Sequence, residues 1–118
     1  MAKVIIDIPE VELALYNQLI SENTQIERKG KTMPYTAING HMFSFLDKTG
    51  TMALRLSEKD RTLFIDTFNT QLMTQHGRVM KDFVEIPNTL LKEGKKLAIY
   101  LQKSADYTAS LKPKPSKK

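Results

Sequence analysis

The residues able to do chemistry are few and scattered in this chain. Its two histidines, His41 and His76, stand 35 positions apart. Neither falls in a metal-ligand spacing such as HExxH, and two histidines cannot complete a zinc site without carboxylate help. His41 follows an Asn-Gly pair beside an apolar run and reads as a satisfied, partly buried histidine; His76, in "QHG", reads as a loop residue. A general base must reach a substrate proton, and no pattern around either histidine builds such a site. The absence of cysteine excludes disulfides, a thiol nucleophile and cysteine-ligated zinc or iron–sulfur centres. No serine stands in GxSxG, and the glycines mark single turns rather than a phosphate cradle. The acid pairs Glu10/Glu12 and Asp82/Glu85 read as solvated positions. The expectation is a protein that is not an enzyme, with no catalytic, cofactor-binding or metal-ligating residues.

The remaining candidates are basic. The formal charge is +5, but of 18 Lys and Arg four lie in the closing "KPKPSKK", residues 112–118, leaving fourteen against 13 Asp and Glu before it. The basicity is a tail property, and such tails are usually solvated and disordered. Within the body, Arg78 and Lys81 lead into a strand-like run, and Lys95 and Lys96 open the last helical pattern. Brought onto one face with the tail, these four would form a phosphate footprint, which makes nucleic acid a candidate partner. Base readout would need in addition a defined helix or aromatic platform. Packing explains the other residues of "QHGRVMKDFVEIP": Gly77 turns the chain, Val79, Phe83 and Ile86 suit a packed strand, and Pro87 ends it.

Positioning any of these requires elements, and their signals are clear. Residues 10–28 suit a helix with Val11, Leu15, Leu19 and Ile26 near one face, opened by Asp7 and Pro9 and closed by Gly30. The preceding "KVIID" is either an edge strand or a loose arm. The stretch "MPYTAINGHMFSFLDKTGTMALRLS" reads as three strands joined by two tight turns, because Asn39-Gly40 favours positive φ at both central positions and Asp47 and Gly50 bracket a four-residue turn. Ser57, three residues before Asp60, is a capping-box signature for a helix through about Phe68. "TQLMT" allows a brief strand, "RVMKDFVEI" a longer one, and Gly94 divides a first turn "NTLLKE" from the helix "KKLAIYLQKSADYTASL", whose stripe is Leu97, Ala98, Leu101, Ala105 and Thr108.

The two turns imply a register. A two-residue loop pairs Ile38 with His41 and Thr36 with Phe43; a four-residue loop pairs Leu46 with Thr51, Phe45 with Met52 and Phe43 with Leu54. One face then carries Ile38, His41, Phe43, Phe45, Met52, Leu54 and Leu56 as a core face. The other carries Tyr35, Met42, Ser44, Leu46, Thr51, Ala53 and Arg55. Tyr35, Met42, Leu46 and Ala53 would leave apolar area open either to a second subunit or to a covering helix.

The element order α-β-β-β-α-β(β)-α predicts an α+β fold with an antiparallel sheet and flanking helices. At 118 residues, 41% of them hydrophobic and 26% charged, the chain can bury one core without a metal or disulfide. We expect a single domain over 1–111 and a basic, disordered tail over 112–118. No segment approaches the ~20 apolar residues of a membrane helix, and the start "MAKVIIDIPE" is too interrupted for a signal peptide. A cytoplasmic protein with no membrane contact is expected.

The blocks "GHMFSFLDKTGTMALRLSEKDR" and "GRVMKDFVEIP" and the closing helix ending "SLKPKPSKK" together resemble the TfoX/Sxy N-terminal domain-like family, from about Arg28 to Lys118. Gly40, Met42, Phe43, Leu54, Arg55 and Leu56 carry the first block; Gly77, Arg78, Met80, Lys81, Val84 and Pro87 carry the second. The resemblance implies a secretion-chaperone-like α+β fold, often homodimeric, with no catalytic residues. Full-length members are regulators linked to competence-gene transcription and carry a further C-terminal domain; this chain resembles a stand-alone member without it. The implied function is a small non-enzymatic protein-interaction and regulatory domain. A nucleic-acid-associated transcription regulator is the alternative.

Overall fold

The computed structural model describes residues 9–22, 30, 34–75 and 77–111. The elements, in chain order, are helix α1 (Glu10–Ser21), strands β1 (Tyr35–Ile38), β2 (His41–Leu46) and β3 (Met52–Arg55), helix α2 (Glu58–Phe68), strands β4 (Leu72–Gln75) and β5 (Arg78–Ile86), and helices α3 (Asn88–Leu91) and α4 (Gly94–Ala109). The strands form one antiparallel sheet in the order β1-β2-β3-β5-β4. This is the α+β architecture that the element order predicts, with the brief strand "TQLMT" present as β4.

Local chemistry explains the boundaries. Asn39 and Gly40 take φ of 57° and 81°, the two left-handed positions that a tight hairpin turn requires. The Ser57 hydroxyl accepts from the Asp60 amide at 3.3 Å and caps α2, which ends on left-handed Asn69. Pro87 stops β5, and Gly94 opens α4 just after α3.

The second turn differs from the expected one. Asp47 N–H donates to Thr51 O at 2.9 Å and Gly50 N–H to Asp47 O at 3.0 Å, with Gly50 at φ 85°. That is a three-residue loop closed by a left-handed glycine, not a four-residue one. The pairs are therefore Leu46 with Met52, Phe45 with Ala53 and Ser44 with Leu54, one step from the predicted register. On the other side Ile38 faces His41 as expected, but the pairing shifts between Thr36 and Ala37, so that Thr36 meets Ser44 rather than Phe43. Phe43 is the extra residue of a β-bulge, which reverses the alternation along β2.

The predicted core face is corrected accordingly. Phe43, Leu46, Met52, Leu54, Leu56, Val84 and Ile86 pack with helix residues Tyr16, Leu19, Ile20, Phe64, Leu90, Leu97 and Leu101. Phe45 moves to the opposite face, with Ala53, Met73 and Phe83, while Leu46 leaves that face for the helices. The second face is not open: Phe45, Ala53, Met73 and Phe83 are buried, Tyr35, Met42 and Met80 half-buried, and the Arg55 guanidinium lies 4.8 Å from the Phe83 ring centre. Of the apolar area expected there for a second subunit, Ala53 is buried within the chain, Leu46 lies on the other face, and Tyr35 and Met42 remain half-buried.

Other corrections are local. In α1 the buried set is Tyr16, Leu19 and Ile20, and Val11 is 61% exposed. Positions 11, 15 and 19 are spaced by four, so they drift about 40° per step around a helix of 3.6 residues per turn. Ile26 and the rest of the predicted helix beyond Glu22, the segment "KVIID" and the tail 112–118 lie outside the described residues. Val79 is 57% exposed, whereas Phe83 and Ile86 are buried on opposite faces. The α4 stripe holds, with Ser104 buried in addition and Ala98 only half-buried.

A chain of hydroxyls crosses the helix-side core. Tyr16 Oη lies 2.7 Å from Ser44 Oγ, which lies 2.6 Å from Thr36 Oγ1, all three side chains being fully buried. Gly50 sets another constraint: a Cβ there would come within 3.1 Å of Pro9 Cγ and 3.2 Å of Glu12 Cγ. With the left-handed φ, Gly50→Ala is expected to lower stability by about 1–2 kcal/mol, read as a fall in the urea midpoint at constant slope. An unchanged midpoint would contradict the loop geometry.

Candidate functional site

The structure does not gather the four basic candidates. Arg78 and Lys81 are exposed on the first half of β5. Lys95 and Lys96 are exposed in the first turn of α4, where Lys96 pairs with Glu93 at 3.6 Å. Asn39 Nδ2 donates to Ala109 O at 3.3 Å, so α4 ends beside the β1–β2 turn and begins at the opposite end of the sheet, near Met52 and Ile86. Arg55 faces Phe83 and Met52 faces Ile86, which puts Arg78 beyond the other end. At ~3.3 Å per strand residue, most of the length of β5 separates the two pairs.

Two arginines that sequence reading left aside do converge. Arg55 Nη1 lies 3.1 Å from Asp82 Oδ2, and Arg61 Nη1 lies 3.7 Å from Asp82 Oδ1. Each is held from behind by a backbone carbonyl, Arg55 Nε by Met42 O at 2.8 Å and Arg61 Nη1 by Leu56 O at 2.8 Å. Both arginine side chains are mostly buried, and through Asp82 the cluster ties α2 to β3 and β5. The other acid of that predicted pair, Glu85, accepts from Gln71 Nε2 at 2.9 Å. Asp47 is likewise spent on its own loop, accepting from the Thr49 amide, the Thr49 hydroxyl and the Thr51 amide at 2.9, 2.6 and 3.0 Å. His41 is half-buried at the start of β2; His76 lies outside the described residues. Among the described residues no group of His, Asp and Glu is arranged to hold a metal, and no helix is long and apolar enough to cross a membrane.

The surface feature that packing leaves unexplained lies between α2 and α4. Phe64, Phe68 and Tyr100 form a three-ring cluster with centroids 4.6, 5.0 and 5.5 Å apart. Above it a groove of about 220 Å³ is lined by Asp60, Leu63, Phe64, Thr67, Tyr100 and Lys103. Leu63 stands on one rim, 55% exposed, and Ile99, one turn before Lys103 on the outer side of α4, is 58% exposed. A second, shallower hollow on the far side of Leu63 is lined by Glu58, Lys59 and Thr62. Scattered single apolar residues are ordinary on a surface. Here an exposed leucine borders an aromatic-floored groove, with an isoleucine on the facing helix.

Ile99 was the legible part of this signal, since it falls off the Leu97–Leu101 stripe. The groove itself depends on α2 and α4 lying side by side, and nothing local encodes that. No protein-family profile matches the chain, and no curated protein or solved structure does so either.

Proposed function

We propose that this protein is a small non-enzymatic interaction and regulatory domain acting in the cytoplasm as a homodimer, the role that its resemblance to TfoX-type N-terminal domains also implies. The observation that supports this most directly is the outward placement of Leu63 and Ile99 beside the groove over Phe64 and Tyr100. Contact surfaces on soluble domains join exposed apolar side chains to a concave patch with a charged rim, and this groove has Asp60 and Lys103 as its rim. Nucleic-acid binding has less support, because Arg78 and Lys81 are remote from Lys95 and Lys96.

Light scattering behind a sizing column tests the reading. Loaded at about 1 to 100 µM, the range in which a dimer of micromolar Kd changes mass, the protein should move toward twice the 13.5 kDa chain mass. A single-chain mass throughout would refute the homodimer.

A further inference from the structure

We infer that the second copy docks on the α2–α4 groove through a two-fold contact, the Leu63 of each chain entering the other's groove and each Asp60 facing the partner copy's Lys103. This rests on the homodimer reading above and assigns its surface.

Self-complementarity carries the inference. A two-fold interface uses the same patch twice, so knob and hole must lie next to each other on one chain. Leu63 both protrudes and lines the groove. The charges are split in the same sense. Helix α2 has the acids Glu58, Asp60 and Asp66 against Lys59 and Arg61, and Arg61 is engaged by Asp82. Helix α4 has Lys95, Lys96 and Lys103 against Asp106 alone, and Lys96 is engaged by Glu93. Crossing the α2 of one copy over the α4 of the other therefore sets acidic against basic. Asp60 and Lys103 line one groove, yet they form no ion pair with each other within 4 Å in the single chain. Leu63 and the half-buried Tyr100, over the buried Phe64 ring, form an apolar centre inside this charged rim, the arrangement of an interface core within a polar ring.

The test is charge reversal read by dimer mass. In a two-fold contact Asp60→Lys creates two like-charge encounters, as does Lys103→Asp, and each variant alone should dimerise about tenfold or more weakly. The Asp60→Lys chain carries lysine at both positions and the Lys103→Asp chain aspartate at both. Mixed in equal amounts, they should form a dimer at least as readily as the unaltered protein, with both contacts attractive. The doubly reversed chain should dimerise with itself. Leu63→Lys, on an exposed side chain, should abolish the dimer and leave the unfolding temperature within a few degrees, while Thr74→Lys on β4 should change neither. A dimer indifferent to all of these would overturn the assigned surface and leave the homodimer reading standing. Single reversals that weaken the dimer without recovery in the mixture would overturn the Asp60–Lys103 pairing. An unaltered protein that stays a single chain would overturn both readings.

Discussion

Phe64→Ala is expected to lower the unfolding free energy by about 3–5 kcal/mol, the usual cost of removing a fully buried ring. Phe64 is 1% exposed and lies in the main core, in contact with Phe68 and Tyr100. Neither neighbour can fill the hole easily. Their rings meet edge-on at 5.5 Å, and moving one would break that contact as well. A domain of this size has a total stability of about 5–15 kcal/mol, so the variant gives up a large share of it. Urea titration is the measurement: the midpoint should fall while the slope is kept. A loss below about 1 kcal/mol would mean that α2 does not pack against α4 as described.

Asp47→Ala should be nearly as damaging, by about 2–3 kcal/mol, for a polar rather than an apolar reason. One carboxylate oxygen accepts from two backbone amides and a hydroxyl, and the other receives Gln75 Nε2 at 3.2 Å. Alanine leaves the Thr49 and Thr51 amides without their acceptor in a loop that fixes the β2–β3 register. Asp47→Asn keeps one carbonyl oxygen facing the Thr49 and Thr51 donors but loses the extra strength of charge-assisted bonds and puts an NH2 donor against Gln75 Nε2, together about 1–2 kcal/mol. Thermal unfolding of the two variants side by side separates these costs. An asparagine variant as unstable as the alanine one would show that charge, and not the geometry of one oxygen, holds the loop.

How much of this was legible follows from which interactions are local. Asn39-Gly40, the Ser57 cap, Gly94 and Pro87 act within a few residues of themselves, and each marks its boundary where the sequence places it. The β2–β3 register depends on whether Asp47 to Gly50 closes three residues or four. Asp47 and Gly50 suit both loops, and only the capture of the Thr51 amide by the Asp47 carboxylate selects one. The bulge at Phe43 was hidden for a different reason. Both faces of β2 are apolar, with Phe43 and Leu46 on one and Met42 and Phe45 on the other, and the polar residue between them, Ser44, is buried on the helix side, so polarity does not mark the phase. The site was less legible still. Arg55 and Asp82 are 27 positions apart, and Leu63 and Tyr100 meet across α2 and α4, so both associations depend on topology.

The hydroxyl chain through Tyr16, Ser44 and Thr36 bears on how the molecule comes apart. Apolar side chains in a core can slip past one another with little loss, whereas contacts of 2.6 and 2.7 Å between oxygens tolerate almost no drift. Helix α1 is thus indexed to β2, and β2 through Ser44 to the edge strand β1. If α1 lifted away alone, it would strand a phenol and leave the Ser44 and Thr36 hydroxyls facing a void. The three elements should accordingly exchange their amide protons as one cooperative block, although α1 and β1 are separated by more than a dozen residues of chain.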